Sequence, residues 1–247
     1  MRIVTVALLA FGACFASAAA QTPDLETVLV QSNSLDGIWK ITAPTYSGGL
    51  SLLHGFRGPL RKMQNVLCRI TGRTVRCIGP SLMVEGTVSL DGSAAHFAWG
   101  SAMARPVIDA KFSSTVQFSG DFVFKLSGIA YTAPDPASGA KLNLAALASA
   151  DDPLARLLSA VVQGERPELL DLTSKDVQLP TQDALRSLGA VQSIVSLGES
   201  GDFLAAKDPR ALMTTDYKVF DVEFANGERL CGLRVRADGK IDGFKCV

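Results

Sequence analysis

Residues 217–247 read YKVFDVEFANGERLCGLRVRADGKIDGFKCV, a string that three antiparallel strands joined by two tight turns account for. Phe220, Val222 and Phe224 alternate with Val219, Asp221 and Glu223, the period of two expected of a half-buried strand. Asn226-Gly227 follows, a dipeptide suited to a type I′ hairpin because it accepts positive φ at both central positions. Leu230 to Arg236 then places Cys231, Leu233 and Val235 on one face and Gly232, Arg234 and Arg236 on the other. Asp238-Gly239 closes a second hairpin leading into Ile241 to Cys246.

Turn arithmetic predicts two disulfides. A two-residue loop at Asp238-Gly239 sets Cys231 opposite Cys246, and either antiparallel Cα spacing, about 4.5 or 5.5 Å, suits a disulfide. A two-residue loop at Asn226-Gly227 sets Val222 opposite Cys231, keeping one apolar face across all three strands. Gly72-Arg73, with Gly first as a type II′ turn wants, makes Cys68 and Cys77 direct partners in the same way. Ile70 then faces Val75, and Arg69 faces Arg76. Two pairs of free buried thiols are the alternative.

The start of the chain bears on that choice. Arg2, the apolar run Ile3 to Phe15 and the small residues Ala18-Ala19-Ala20 read as an export signal over 1–20. Phe11-Gly12-Ala13-Cys14 resembles a bacterial lipoprotein box with Phe11 where Leu is usual, and plain export to a periplasm or beyond is the expectation. Cleavage removes Cys14, one of five cysteines, and leaves Cys68, Cys77, Cys231 and Cys246, which an oxidising compartment would pair. No second long apolar run follows, so no transmembrane segment is expected after cleavage. A formal net charge of zero argues against a nucleic-acid partner.

Residues 36–131 read as a β-rich domain. Strands are expected over Ile38–Thr42, Val66–Thr71, Thr74–Ile78, Leu82–Leu90, Ala94–Trp99, Ser114–Phe118 and Phe122–Leu126, with hairpin turns at Asp91-Gly92 and Gly120-Asp121. Many short strands with frequent turns imply an antiparallel barrel or sandwich. Residues 21–35 form a leader, and 132–141, rich in Pro and Gly, a linker. Beyond it, Leu154, Leu157, Leu158 and Val161 recur at helical spacing, with Asp152 as N-cap, Pro153 first and Gly164 at the stop. Further helices are expected near Pro167 and over 182–188, then a strand over 191–197 and a long loop or an edge excursion over 198–215. The fold class expected is therefore α+β, a β-domain followed by a helix-on-sheet domain over 142–247.

Gly37-Ile38-Trp39 resembles the Gly-x-Trp of lipocalin-type barrels, and a buried Trp in any β-core explains it too. Leu185 to Ile194, Phe220–Gly227 and Asp238-Gly239-Lys240-Ile241 resemble the tail domains of some exported bacterial serine hydrolases, which are similar to the cystatin/NTF2-like cone folds. That resemblance implies a non-catalytic accessory role.

Catalytic signatures are sparse. Ser138-Gly139-Ala140-Lys141 matches Ser-x-x-Lys without the companion motifs. His54 and His96 are the two histidines, and as a metal pair they would need more ligands. No catalytic residue, metal ligand or cofactor is assigned. Lys40, Arg57, Arg61, Lys62, Arg69, Arg73 and Arg76 fall in a stretch from Gly37 to Val84 without an acidic residue. Six of them (Arg57, Arg61, Lys62, Arg69, Arg73, Arg76) form a candidate polyanion-binding face, for an anionic envelope surface or an acidic partner. A solvated face, or a basic domain docked on its own acidic neighbour, explains the same residues. The leading functional expectation is an exported, disulfide-stabilised, non-enzymatic binding or accessory protein of the bacterial envelope. It would take a protein partner or small apolar ligand in a barrel mouth or between helices and sheet. The alternatives are a cone-fold enzyme, such as a hydrolase or isomerase lacking a catalytic His, and a basic-faced module binding polyanions. Peptide mapping of exported, unreduced protein should recover Cys68 linked to Cys77 and Cys231 linked to Cys246; any cross-link between the two pairs would contradict the register.

Overall fold

The computed structural model describes residues 25, 35–47, 60–79, 85–147, 158, 187–204 and 217–247. These residues are nearly all strand. The strands are β1 (Gly37–Ser47), β2 (Leu60–Thr71), β3 (Thr74–Ile78), β4 (Glu85–Asp91), β5 (Ala94–Trp99), β6 (Ala104–Ser114), β7 (Gln117–Leu126), β8 (Ile129–Ala130), β9 (Asp135–Lys141), β10 (Val191–Leu204), β11 (Tyr217–Phe224), β12 (Gly227–Val235) and β13 (Ile241–Cys246). A short 3-10 turn, Leu144–Leu147, follows β9.

Strands β1 to β7 and β9 form an up-and-down meander that closes on itself, because β1 pairs with both β2 and β9. The result is an eight-strand barrel, and β10 to β13 extend its sheet outward. The expected α+β class is thereby corrected to all-β, and the cystatin/NTF2-like helix-on-sheet tail is not seen. The tail sheet grows from a barrel strand. The helices expected at 152–164, near Pro167 and over 182–188 lie outside the described residues, apart from Leu158, Ser187 and Leu188. The signal at 1–20 and most of the leader lie outside them too.

Strand β2 is the branching strand. Its C-terminal half pairs with β3 from Leu67↔Ile78 to Thr71↔Thr74. Along the same edge, its N-terminal half pairs with β10 from Gly201↔Asn65 to Leu204↔Lys62. Where β3 leaves and β10 arrives, backbone carbonyls lose their regular ladder partners. Ser200, fully buried, fills that gap. Its hydroxyl lies 2.8 Å from the Asn65 carbonyl oxygen and hydrogen-bonds with that of Ile78 as well. The stretch expected as a loop or an edge excursion over 198–215 thus begins as the half of β10 that pairs with β2.

Two cores result. The barrel interior holds Trp39, Ile41, Val66, Cys68, Ile70, Val75, Cys77, Phe97, Trp99, Ile108, Phe112, Phe118 and Phe122. Their rings form a column. Trp39 meets Phe112 edge-on at 5.8 Å, Phe118 lies 5.2 Å from Phe97, and Phe97 stacks on Trp99 at 5.8 Å. An eight-strand barrel is just wide enough for such a filling. Outside the barrel, Ile38, Leu67 and Ile78 pack against Leu197, Tyr217, Val219 and Leu230 of the tail sheet. Phe220, Val222, Phe224, Cys231, Leu233, Ile241 and Phe244 on the sheet's other face cluster with Leu158 and Leu188.

The registers refine the expectations. Cys68 faces Cys77, Ile70 faces Val75 and Arg69 faces Arg76, and Gly72 carries a φ of 58° as the first turn residue. Cys231 faces Cys246, but by a different route. The turn is longer than two residues, with the Arg236 amide donating to Lys240 and the Gly239 amide to Arg236. A bulge between Arg234 and Val235 restores the offset. The Cα atoms of the two cysteine pairs lie 4.0 and 4.1 Å apart, with the sulfurs at disulfide-bonding distance. In the first tail hairpin the turn falls on Ala225-Asn226, so Phe220, not Val222, faces Cys231. A slide of two residues leaves the apolar face unchanged. The cause is local: the Ala225 and Asn226 amides donate to Ala190 and Leu188, both at 2.9 Å.

Three barrel expectations also change. β6, absent from the expected strands, spans Ala104–Ser114, and Ser114–Phe118 contains the β6–β7 turn instead of a strand. Gly120 lies inside β7, where a Cβ would stand 2.2 Å from the Asp109 carbonyl oxygen. It is there for close backbone approach, not for a turn. Residues 135–141, expected within the linker, form the closing strand β9, and Gly139 lies beneath the Phe118 ring.

Replacing Ser200 with Ala should cost about 1–3 kcal/mol of unfolding free energy, since buried carbonyls lose a donor; chemical denaturation measures it, and an unchanged midpoint would remove Ser200 from its place at the fork.

Candidate functional site

The meander places the β5–β6 connection and the segment between β7 and β9 at one end of the barrel. At that end β7 outruns β9 and turns back through Ser127-Gly128 into β8. Ser127 has a φ of 48° and Gly128 of 82°, the pair of positive values a type I′ hairpin demands. A serine in that region is strained, which marks the turn as held from outside. The holding bond is visible: the Ser127 amide donates to the Met103 carbonyl at 3.0 Å, tying the hairpin to the β5–β6 connection.

This lip has two different faces. Strand alternation puts Phe124, Leu126, Ile129 and Tyr131 on the side continuous with the barrel interior. Phe124 packs on the barrel core and meets the Tyr131 ring edge-on at 6.4 Å, while the Tyr131 amide donates to the Phe124 carbonyl. The strip is uncovered beyond Phe124: Ile129 is 74% exposed and Tyr131 54%, and Met103, 74% exposed, stands in the β5–β6 connection bonded to Ser127. Scattered single apolar side chains on a surface are ordinary, but Ile129 and Tyr131 share one face of one hairpin and extend a core. Arg105 and Lys125 stand opposite each other on the outer face.

Below the lip the aromatic column ends at Trp99. Its indole Nε1 is buried and has no hydrogen-bond partner among the described residues. Trp39, at the closed end, contrasts with it by donating to the Leu35 carbonyl at 2.7 Å. The Gly-x-Trp stretch noted in the sequence therefore holds a tryptophan satisfied by its own backbone.

The sequence-predicted basic residues scatter. Arg57 lies outside the described residues, and of Arg61 and Lys62 only the backbone, on β2, is described. Arg73 is exposed at the β2–β3 turn. Arg69, 13% exposed, bridges Asp221 and Glu228 of the tail sheet, and Arg76 reaches Glu85 at 3.6 Å. The like-charged rung Arg69–Arg76 is thus neutralised by carboxylates of the same chain. The buried Nε of Arg69 has no partner among the described residues.

Other titratable clusters serve packing. The Tyr217 ring lies between Arg234, at 5.7 Å, and Lys245, at 5.0 Å, over the space left by Gly232. Burial, with Arg234 adding repulsion, pushes the Lys245 ammonium below the ordinary lysine range, while the hydrogen bond to Asp242 raises Arg234. Lys245 donates to the Gly79 carbonyl at 3.3 Å and so fastens β13 to the end of β3. His96 Nδ1 lies 2.5 Å from Asp109 on the exposed outer wall; His54 falls outside the described residues. Among the described residues no group of three His, Cys, Asp or Glu is placed to hold a metal ion. Ser138 and Lys141 lie three apart on β9, hence on opposite faces, which dismantles the Ser-x-x-Lys match.

The lip was not legible in the sequence, where Ile129 and Tyr131 fall after the last expected strand, Phe122–Leu126, at the domain boundary. Ser127-Gly128 was the one available signal. Comparison of the chain with protein families, curated proteins and solved structures finds no match.

The two tryptophans should respond oppositely to removal of the indole nitrogen. Trp39→Phe strands the Leu35 carbonyl and should cost about 1–3 kcal/mol, whereas Trp99→Phe relieves a buried unpaired donor and should be neutral or stabilising; thermal melts of both variants decide it.

Proposed function

We propose that this protein is an exported, disulfide-stabilised binding or accessory protein that takes a small apolar ligand or an apolar portion of a partner at the lip of its barrel. The carrying observation is the strip from Phe124 through Tyr131 to Ile129, continuous with the core yet open to solvent. The aromatic column fills the barrel below, which favours the mouth over the interior as the place of contact. The free indole donor of Trp99 suits a ligand that carries one hydrogen-bond acceptor on an apolar body.

Native mass spectrometry of exported protein would reveal a retained molecule. A direct test uses N-phenyl-naphthylamine, a neutral apolar fluorophore. Its fluorescence should rise on mixing with the full chain. In the Ile129→Asp/Tyr131→Ser double variant the affinity should fall at least about tenfold, since covering even one such side chain contributes about 1.5–3 kcal/mol. Unchanged uptake by that variant would move the site elsewhere.

A further inference from the structure

The barrel wall carries two rungs in which basic residues face each other across an antiparallel pair, an arrangement that is destabilising when unrelieved. One is Arg69–Arg76, and there the chain supplies Asp221, Glu228 and Glu85. The other is Arg105–Lys125, directly behind the lip. Neither of these two has an ion-pair partner among the described residues. Arg105 is exposed and Lys125 half-buried, so the uncompensated charge is presented outward.

The layering of the lip specifies what would compensate it. Met103 and Ile129 stand at the extremity, the Arg105–Lys125 rung stands one rung behind the Ala104–Leu126 pair that precedes the turn, and Tyr131, opposite Phe124, lies one rung further back. At about 3.3 Å per residue the cations sit only a few ångströms behind the apolar tips. The carboxylates of the same wall, Asp109 and Asp121, lie four residues further down, on the order of 13 Å, and Asp109 already has His96. Glu85 is taken by Arg76. In sequence, the β1–β2 and β3–β4 connections contain no Asp or Glu. Apolar tips followed by cations is the order of a lipid interface met from outside, with acyl chains first in depth and anionic headgroups around the rim. Tyr131, 54% exposed one rung behind the cations, has the apolar body and polar tip of a residue at the outer margin of such an interface.

We propose that the lip docks on an anionic bilayer surface, with Met103 and Ile129 entering the interfacial layer and Arg105 and Lys125 pairing with lipid phosphates. This rests on the lip being a binding site, and it names the surface to which that site is applied. A ligand held at the mouth would then be taken from, or delivered to, the bilayer itself.

Flotation of the purified full chain with vesicles tests it, using phosphatidylcholine alone and phosphatidylcholine with one-third phosphatidylglycerol. Wild type should float with the anionic vesicles, and high salt should release it. Arg105→Gln/Lys125→Gln should weaken that binding about 30-fold, at roughly a fivefold effect per cation, and leave any residual binding to phosphatidylcholine unaltered. Met103→Asp/Ile129→Asp should abolish flotation on both. Melting temperatures and circular dichroism of each variant report whether it is folded. Wild type that takes up the neutral fluorophore but does not float with anionic vesicles overturns the lipid inference and leaves the binding site standing. Flotation unaffected by the Arg105/Lys125 exchange overturns it as well. Wild type that neither floats nor takes up the fluorophore overturns both.

Discussion

The edge of β2 can satisfy only one neighbour at each point along its length, and the whole architecture follows from how that edge is divided. From Leu67 onward it belongs to β3, and up to Asn65 to β10. Without the division, the barrel would end as an isolated meander and the tail sheet would have no hydrogen-bonded origin. Ser200 sits where the ownership changes and supplies the donor that neither ladder provides. One buried hydroxyl thereby joins barrel and tail sheet, alongside the β2–β10 ladder, the Arg69 bridge and the Lys245 bond to Gly79.

The charges sort by the same geometry. Where tail sheet and barrel wall face each other, Arg69 finds Asp221 and Glu228, and its neighbour Arg76 finds Glu85 on the barrel itself. On the far wall, away from the tail, no carboxylate among the described residues pairs with Arg105 or Lys125. A position's sign in the sequence therefore says little about its partners. Its rung on the barrel says more.

Some of the fold was legible from residues alone because it is local. Gly72-Arg73 fixes the register of Cys68 and Cys77 over a handful of residues, and the alternation Ala95, Phe97, Trp99 states which face of β5 is inside. The Cys231–Cys246 pairing was reached although both its turn and its ladder differ from expectation, since a longer turn and a bulge offset each other. β6 was hidden by Pro106 and by the polar residues around it, with only Ile108, Ala110 and Phe112 alternating inward. The resemblance to cone-fold tails rested on turn and strand signals common to any meander. Those signals are silent on what the sheet is attached to. The pairing of Gly201–Leu204 with Lys62–Asn65 spans most of the chain, and no periodicity encodes it.

That long separation has a consequence for the order in which the molecule can be assembled. As the chain emerges from its N-terminus, β1 to β9 can close into a barrel while the upper edge of β2 still lacks the strand that will occupy it. For as long as it takes the next sixty or so residues to follow, the newborn barrel exposes a short open ladder, the kind of template on which a neighbouring nascent chain could pair instead. Completion of the fold is then a race between the molecule's own late strand and somebody else's early one.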